Sequence, residues 1–210
     1  MSTTPQDRAA VPGDPPQGGA AIADGHRRIR PTLASWLAER VSRLANEWIE
    51  EIRVRGNGAD SPRIQRVNAR FVTELTALLP HLMGPRGEQL MPLWIRACEL
   101  LGAVAARRGL AAGEPIEEFQ ILRALIIREL FEDPPGGTRP RLREVLRLNR
   151  IVDRGVSHTS IGHTDAMFFH LLERSDTPMV WSPEELAEEV DAQLAMIREE
   201  MDAILENRAN

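Results

Sequence analysis

The chain has 210 residues, 42% of them hydrophobic and 27% charged, with a formal net charge of −5. That length supports one sizeable core, and the acidic balance excludes a general nucleic-acid binder, which gathers a basic excess on one face. All 26 basic residues are arginine and tyrosine is absent, which excludes Schiff-base lysine, a lysine-dependent phosphate loop and tyrosine acid–base chemistry.

Residues 1–30 carry Pro5, Pro12, Pro15 and Pro16 among glycines, with few large apolar side chains to offset the entropy of ordering, so a disordered tail is predicted. Residues 1–20 lack the apolar stretch of a signal peptide, and no apolar run approaches the roughly 20 residues a bilayer requires. A cytoplasmic protein without a membrane segment is expected. The single cysteine, Cys98, lies on a helical face and reads as a small buried hydrophobe rather than a reactive thiol.

After Pro31, Leu33, Trp36, Leu37, Val41, Leu44, Trp48, Ile49 and Ile52 recur at helical steps, predicting a first helix that ends near Gly56-Asn57-Gly58. Ser61-Pro62 predicts a capped start for a second, with Ile64, Val67, Phe71, Leu75, Leu78 and Leu79 inward and a stop before Pro80 or soon after it. A third spans about residues 88–108, with Leu90, Leu93, Trp94, Ala97, Leu101 and Val104 inward and Gly109 as its left-handed cap. Pro115 opens a fourth, which Asp133-Pro134-Pro135-Gly136-Gly137 terminates. The fifth, about residues 140–174, is unusually long, and Ser182-Pro183-Glu184-Glu185 is a capping box that starts the sixth. The predicted fold is all-α: an antiparallel bundle of about five helices over 31–175, plus a coiled-coil-like signalling or dimerisation helix over 182–207.

In that last helix Val190, Leu194, Ile197, Met201 and Ile204 alternate steps of four and three, a coiled-coil seam of about two heptads that predicts a helical partner. A homodimer is the expected assembly, although Glu184, Glu185, Glu188, Glu189, Asp191, Glu199, Glu200, Asp202 and Glu206 surround the seam. Packing on the chain's own bundle is the simpler alternative.

The fifth helix concentrates unusual polar residues. Gly155 and Gly162 share one side, and each costs a helix about 1 kcal/mol relative to alanine. Either a close helix approach or a small cavity would offset that cost. A cavity predicts a ligand site formed by Asp153, Gly155, His158, Gly162, His163 and Asp165. Histidines invite a metal or haem, but His158 and His163 lie about 140° apart around the helix and no Glu-x-x-His or His-x-x-x-His pair is present, so neither metal nor cofactor is assigned. His158 follows Arg150 and Arg154 on the preceding turns and is a candidate phosphoacceptor for histidine phosphotransfer. No nucleophile elbow occurs and the paired carboxylates Glu117-Glu118 read as helix-start charge, so no catalytic residue and no enzyme activity is expected.

The stretches LASWLAERVSRLANEWIEEIR and LWIRACELLGAVAARRGLAAGEPIEEFQILRALIIRELF resemble the N-terminal domain of RsbR-type co-antagonists of RsbT, a domain also found before some sensor histidine kinases. The resemblance runs from about Pro31 to Leu172, and Gly102, Arg107-Arg108-Gly109, Glu118, Leu122 and Arg123 are its most telling residues. It implies a non-enzymatic helical input module of bacterial stress or two-component signalling, with a kinase, a response regulator or a stressosome-like component as partner. The phosphorylatable C-terminal domain of the stressosome proteins is not in the sequence, nor is a kinase phosphoacceptor box or ATP-binding domain, so a stand-alone module or a fragment is expected.

Overall fold

Among the described residues of the computed structural model, 32–56, 60–172 and 182–207, every long element is a helix. The predicted tail over 1–30 lies outside them. Seven α-helices follow in order: α1 Leu33–Ala38, α2 Val41–Arg55, α3 Pro62–Met83, α4 Gly87–Arg107, α5 Gly113–Glu132, α6 Leu142–Leu172 and α7 Pro183–Glu206. No helix among the described residues is long and apolar enough to cross a membrane.

The local signals act through their expected chemistry. The Ser61 and Ser182 hydroxyls accept the backbone N–H of Ile64 and Glu185, and the Glu185 carboxylate returns to the Ser182 N–H at 2.8 Å. Gly109 has a φ of 75°, and the N–H groups of Gly109 and Leu110 close on the carbonyls of Ala106 and Ala105, so α4 ends in a left-handed cap.

One boundary differs from expectation. The first predicted helix is broken at Glu39-Arg40, a step that brings the Arg40 guanidinium over the Trp36 ring and into ion pairs with Asp133 and Glu129. The second runs three residues past Pro80. A mid-helix proline costs roughly 3 kcal/mol, but Pro80, Leu82 and Met83 are all buried, and burying two such side chains contributes roughly 3–6 kcal/mol.

α4 is the hub of the core, packing on α3, α5, α6 and α7. Trp94 at its centre is fully buried, donates its indole N–H to the Ile151 carbonyl at 3.1 Å and meets Phe119 edge-on. Trp36, Trp48 and Phe71 extend the same core toward α1 and α2.

The predicted dimerisation seam requires correction. Val190, Leu194, Ile197 and Met201 are buried within the chain, and the half-buried Ile204 packs against the same core. The helices they seek are α3 and α4. Arg63, Arg70 and Arg96 on those helices pair with Glu184, Asp191 and Glu200, while Arg198 reaches the buried carboxylate of Glu74 at 2.6 Å. Three carboxylates of the acidic shell of α7 are therefore met by arginines of α3 and α4, and the helix packs with them as one unit.

Candidate functional site

The predicted ligand residues of α6 fall into three environments. Gly155, Gly162 and His163 are buried, His158 is half-buried, and Asp153 and Asp165 are exposed. A Cβ built on Gly155 would lie 2.7 Å from Phe119 Cε1 and 3.0 Å from Trp94 Cζ2, so this glycine seats the aromatic pair. On Gly162 it would lie 2.0 Å from the Glu99 carbonyl oxygen, and on Gly102 of α4 1.9 Å from that of Thr159. Gly102 and Gly162 thus let α4 and α6 cross backbone to backbone. The predicted cavity beside Gly155 and Gly162 is overturned, because protein atoms fill that space; close helix approach is what offsets the glycines' cost in helix propensity.

Three of the polar members, His163, Asp153 and His158, are bonded to neighbouring elements, while Asp165 is exposed. His163 Nε2 donates to the Leu110 carbonyl at 2.9 Å, tying α6 to the end of α4. Asp153 pairs with Arg123 of α5. His158 Nδ1 lies 2.8 Å from Glu99 Oε1 on α4, with a quarter of its side chain (25%) in solvent. Among the described residues no group of three or more histidine, cysteine, aspartate or glutamate side chains is placed to hold a metal ion. Cys98 is fully buried, and burial holds its thiol well above the ordinary pKa, consistent with an inert core residue.

What the structure leaves available is the outward face of α6. Toward its N-terminal half, Arg147, Arg150 and Arg154 border an open groove of about 790 Å³ floored by Met91, Pro92 and Ile95. His158 and Ile161 follow, and then the helix overhangs the bundle. Phe168, Phe169, Leu171 and Leu172 are 56%, 62%, 70% and 61% exposed, with Met167 beside them. The stripe Ile161, Asp165, Phe168, Leu172 has steps of four, three and four, the spacing of a helix-pairing seam. Its signal in the sequence is the run Met167-Phe168-Phe169, then Leu171-Leu172, apolar over roughly 200° of the helix where a narrower buried stripe would suffice.

A second polar cleft, of about 340 Å³, lies where α2 ends and α5 begins. Arg108 donates to Asp60 and Asn68 at 2.9 and 3.1 Å, fastening α4 to the start of α3. Glu118 lines the same cleft, and burial pushes its carboxyl up to about 7, with the attraction of Arg108 only partly opposing. Arg108 and Glu118 thus line one cleft, at which Arg108 fastens the corner of the bundle.

No family model matches the chain, and no curated protein or solved structure matches it either.

Proposed function

We propose that this chain is a non-enzymatic regulatory module of bacterial signalling that works through helix-mediated protein contact, and that its contact element is the outer stripe of α6 in a pair of chains. The observation that carries the reading is the exposed cluster Met167, Phe168, Phe169, Leu171 and Leu172 at the overhanging end of α6. Aromatic side chains carry roughly 150–250 Å² each, so this cluster leaves several hundred Å² of apolar surface in water, at the upper end for a monomer. Two such patches face to face approach the roughly 1,200 Å² at which specific interfaces begin.

A second copy of the chain is the occupant the spacing favours. The steps from Ile161 through Asp165 and Phe168 to Leu172 present a seam to another helix, and an identical stripe supplies the matching one. Asp165 inside the seam weakens the pairing, which leaves an interface that a signal can shift. Sedimentation velocity at tens of micromolar tests the reading: the wild type sediments as a dimer, and Phe168→Asp with Leu172→Asp sediments as a monomer with unchanged helical circular dichroism. A monomeric wild type, or a variant that stays dimeric, overturns it.

A further inference from the structure

His158 is held in a way that the other ordered histidine of known bonding on α6 is not. His163 spends its Nε2 on a buried carbonyl, whereas His158 turns Nδ1 to the Glu99 carboxylate at 2.8 Å and has no partner for Nε2 among the described residues. A carboxylate only accepts, so in the neutral ring the proton sits on Nδ1 and the lone pair on Nε2. The pairing fixes tautomer and ring orientation together, as the carboxylate does for the imidazole of a hydrolase triad. Arg154 lies one turn before His158, is exposed and has no ion-pair partner among the described residues; Arg150 and Arg147 continue the cationic line along the groove. Arg147 is already engaged by the Leu82 and Gly84 carbonyls, so Arg154 is the cation left for a ligand; in a chain of net charge −5, an oriented ring nitrogen one helical turn from it forms a local environment suited to a phosphoryl group.

We propose that His158 is a phosphoacceptor, loaded on Nε2 by an acyl-phosphate donor, with Glu99 as its positioning residue and Arg154 as the cation that meets the phosphoryl oxygens. The Nε2 lone pair attacks phosphorus and the bond from phosphorus to the acyl oxygen breaks. The carboxylate leaves with that electron pair. Nε2 carries no proton to lose, and Nδ1 keeps its own, so Glu99 stabilises the cationic phosphoimidazole as it forms. The site is independent of the α6 pairing: it requires only Glu99, His158 and Arg154 of one chain.

Phosphoramidate is the probe, because its phosphorus–nitrogen bond breaks with ammonia as leaving group and no partner protein is needed. The full chain gains one acid-labile phosphoryl group, located by peptide mass spectrometry at His158. Labelling there is at least about tenfold faster than at His170, a half-buried histidine of the same helix that serves as the internal standard for unassisted imidazole. His158→Gln removes the fast label, and Glu99→Gln reduces His158 to the rate of His170 while circular dichroism stays unchanged. Equal rates at His158 and His170, a fast label that survives His158→Gln, or a Glu99→Gln variant that labels at the wild-type rate each overturn the proposal.

Discussion

The seam of α7 and the outer stripe of α6 use the same spacing, steps of three and four between large apolar residues, and have opposite fates. Val190, Leu194, Ile197 and Met201 are buried inside the chain, while Phe168 and Leu172 are more than half exposed. What separates them is the charge opposite each helix. Three arginines of α3 and α4 pair with carboxylates of α7, and Arg198 of α7 pairs with Glu74 of α3, whereas among the described residues nothing covers the apolar side chains at the end of α6. A helical seam read from sequence says that a partner helix is needed; complementary charge on the remaining helices says whether the chain already contains it.

The largest effect should come from placing one charge in each seam in turn. Leu194→Asp buries an unpaired carboxylate among α3 and α4 and should lower unfolding free energy by about 4 kcal/mol or more, or prevent folding. Phe168→Asp replaces an exposed ring and should stay within about 0.5 kcal/mol of wild type. Urea unfolding of the two variants under conditions that keep the chain monomeric measures the contrast directly. Equal losses would break the comparison, since they would mean that α6's end is covered by the chain itself.

The next effect concerns the crossing that holds α6 in place to overhang. Gly162→Ala puts a Cβ 2.0 Å from a carbonyl oxygen of the α4 backbone, which no rotamer change relieves. The helices must separate, and the expected loss is about 3 kcal/mol. Gly113→Ala, where nothing lies within 4 Å of the added carbon, is the control and should be neutral or slightly stabilising, by up to about 1 kcal/mol. Thermal denaturation of both separates close packing from helix propensity.

Much of this fold was legible because its signals are local. Ser61-Pro62, the capping box at Ser182, the Gly109 stop and the apolar periods of α3 to α5 each act within one turn or one face, and the helices form where those signals stand. The break at Arg40 was not legible, because it depends on the distant Asp133 and Glu129, and whether the second helix stops before Pro80 or runs past it was decided only by the buried places of Leu82 and Met83. The same limit governs the site. Gly155 and Gly162 marked α6 as unusual, but whether a glycine makes room for a ligand or for a backbone depends on Trp94, Phe119 and Glu99, which the chain brings from α4 and α5. The pairing of His158 with Glu99 spans 59 residues and follows no local pattern.

The smallest effect sets the pH at which the contrast between the two helices is cleanest. Glu118 titrates at about 7 in the folded chain against an ordinary 4.5, with burial as the main cause. Between those values the folded protein holds a proton that the unfolded chain has released, so stability falls as pH rises through the window and levels off above it. The group keeps some contact with water in its cleft, so the difference is smaller than the full shift implies: Glu118→Gln should gain about 1–2 kcal/mol over wild type at pH 8 and nearly nothing at pH 4. Urea unfolding across that range checks both the size and the sign. A loss at pH 8 that vanishes toward pH 4 would mean that Arg108, not burial, governs the carboxylate. The cleft at the bundle's corner would then be an ion-pair site, and the α6 and α7 variants would have to be compared at a pH where that pair is intact.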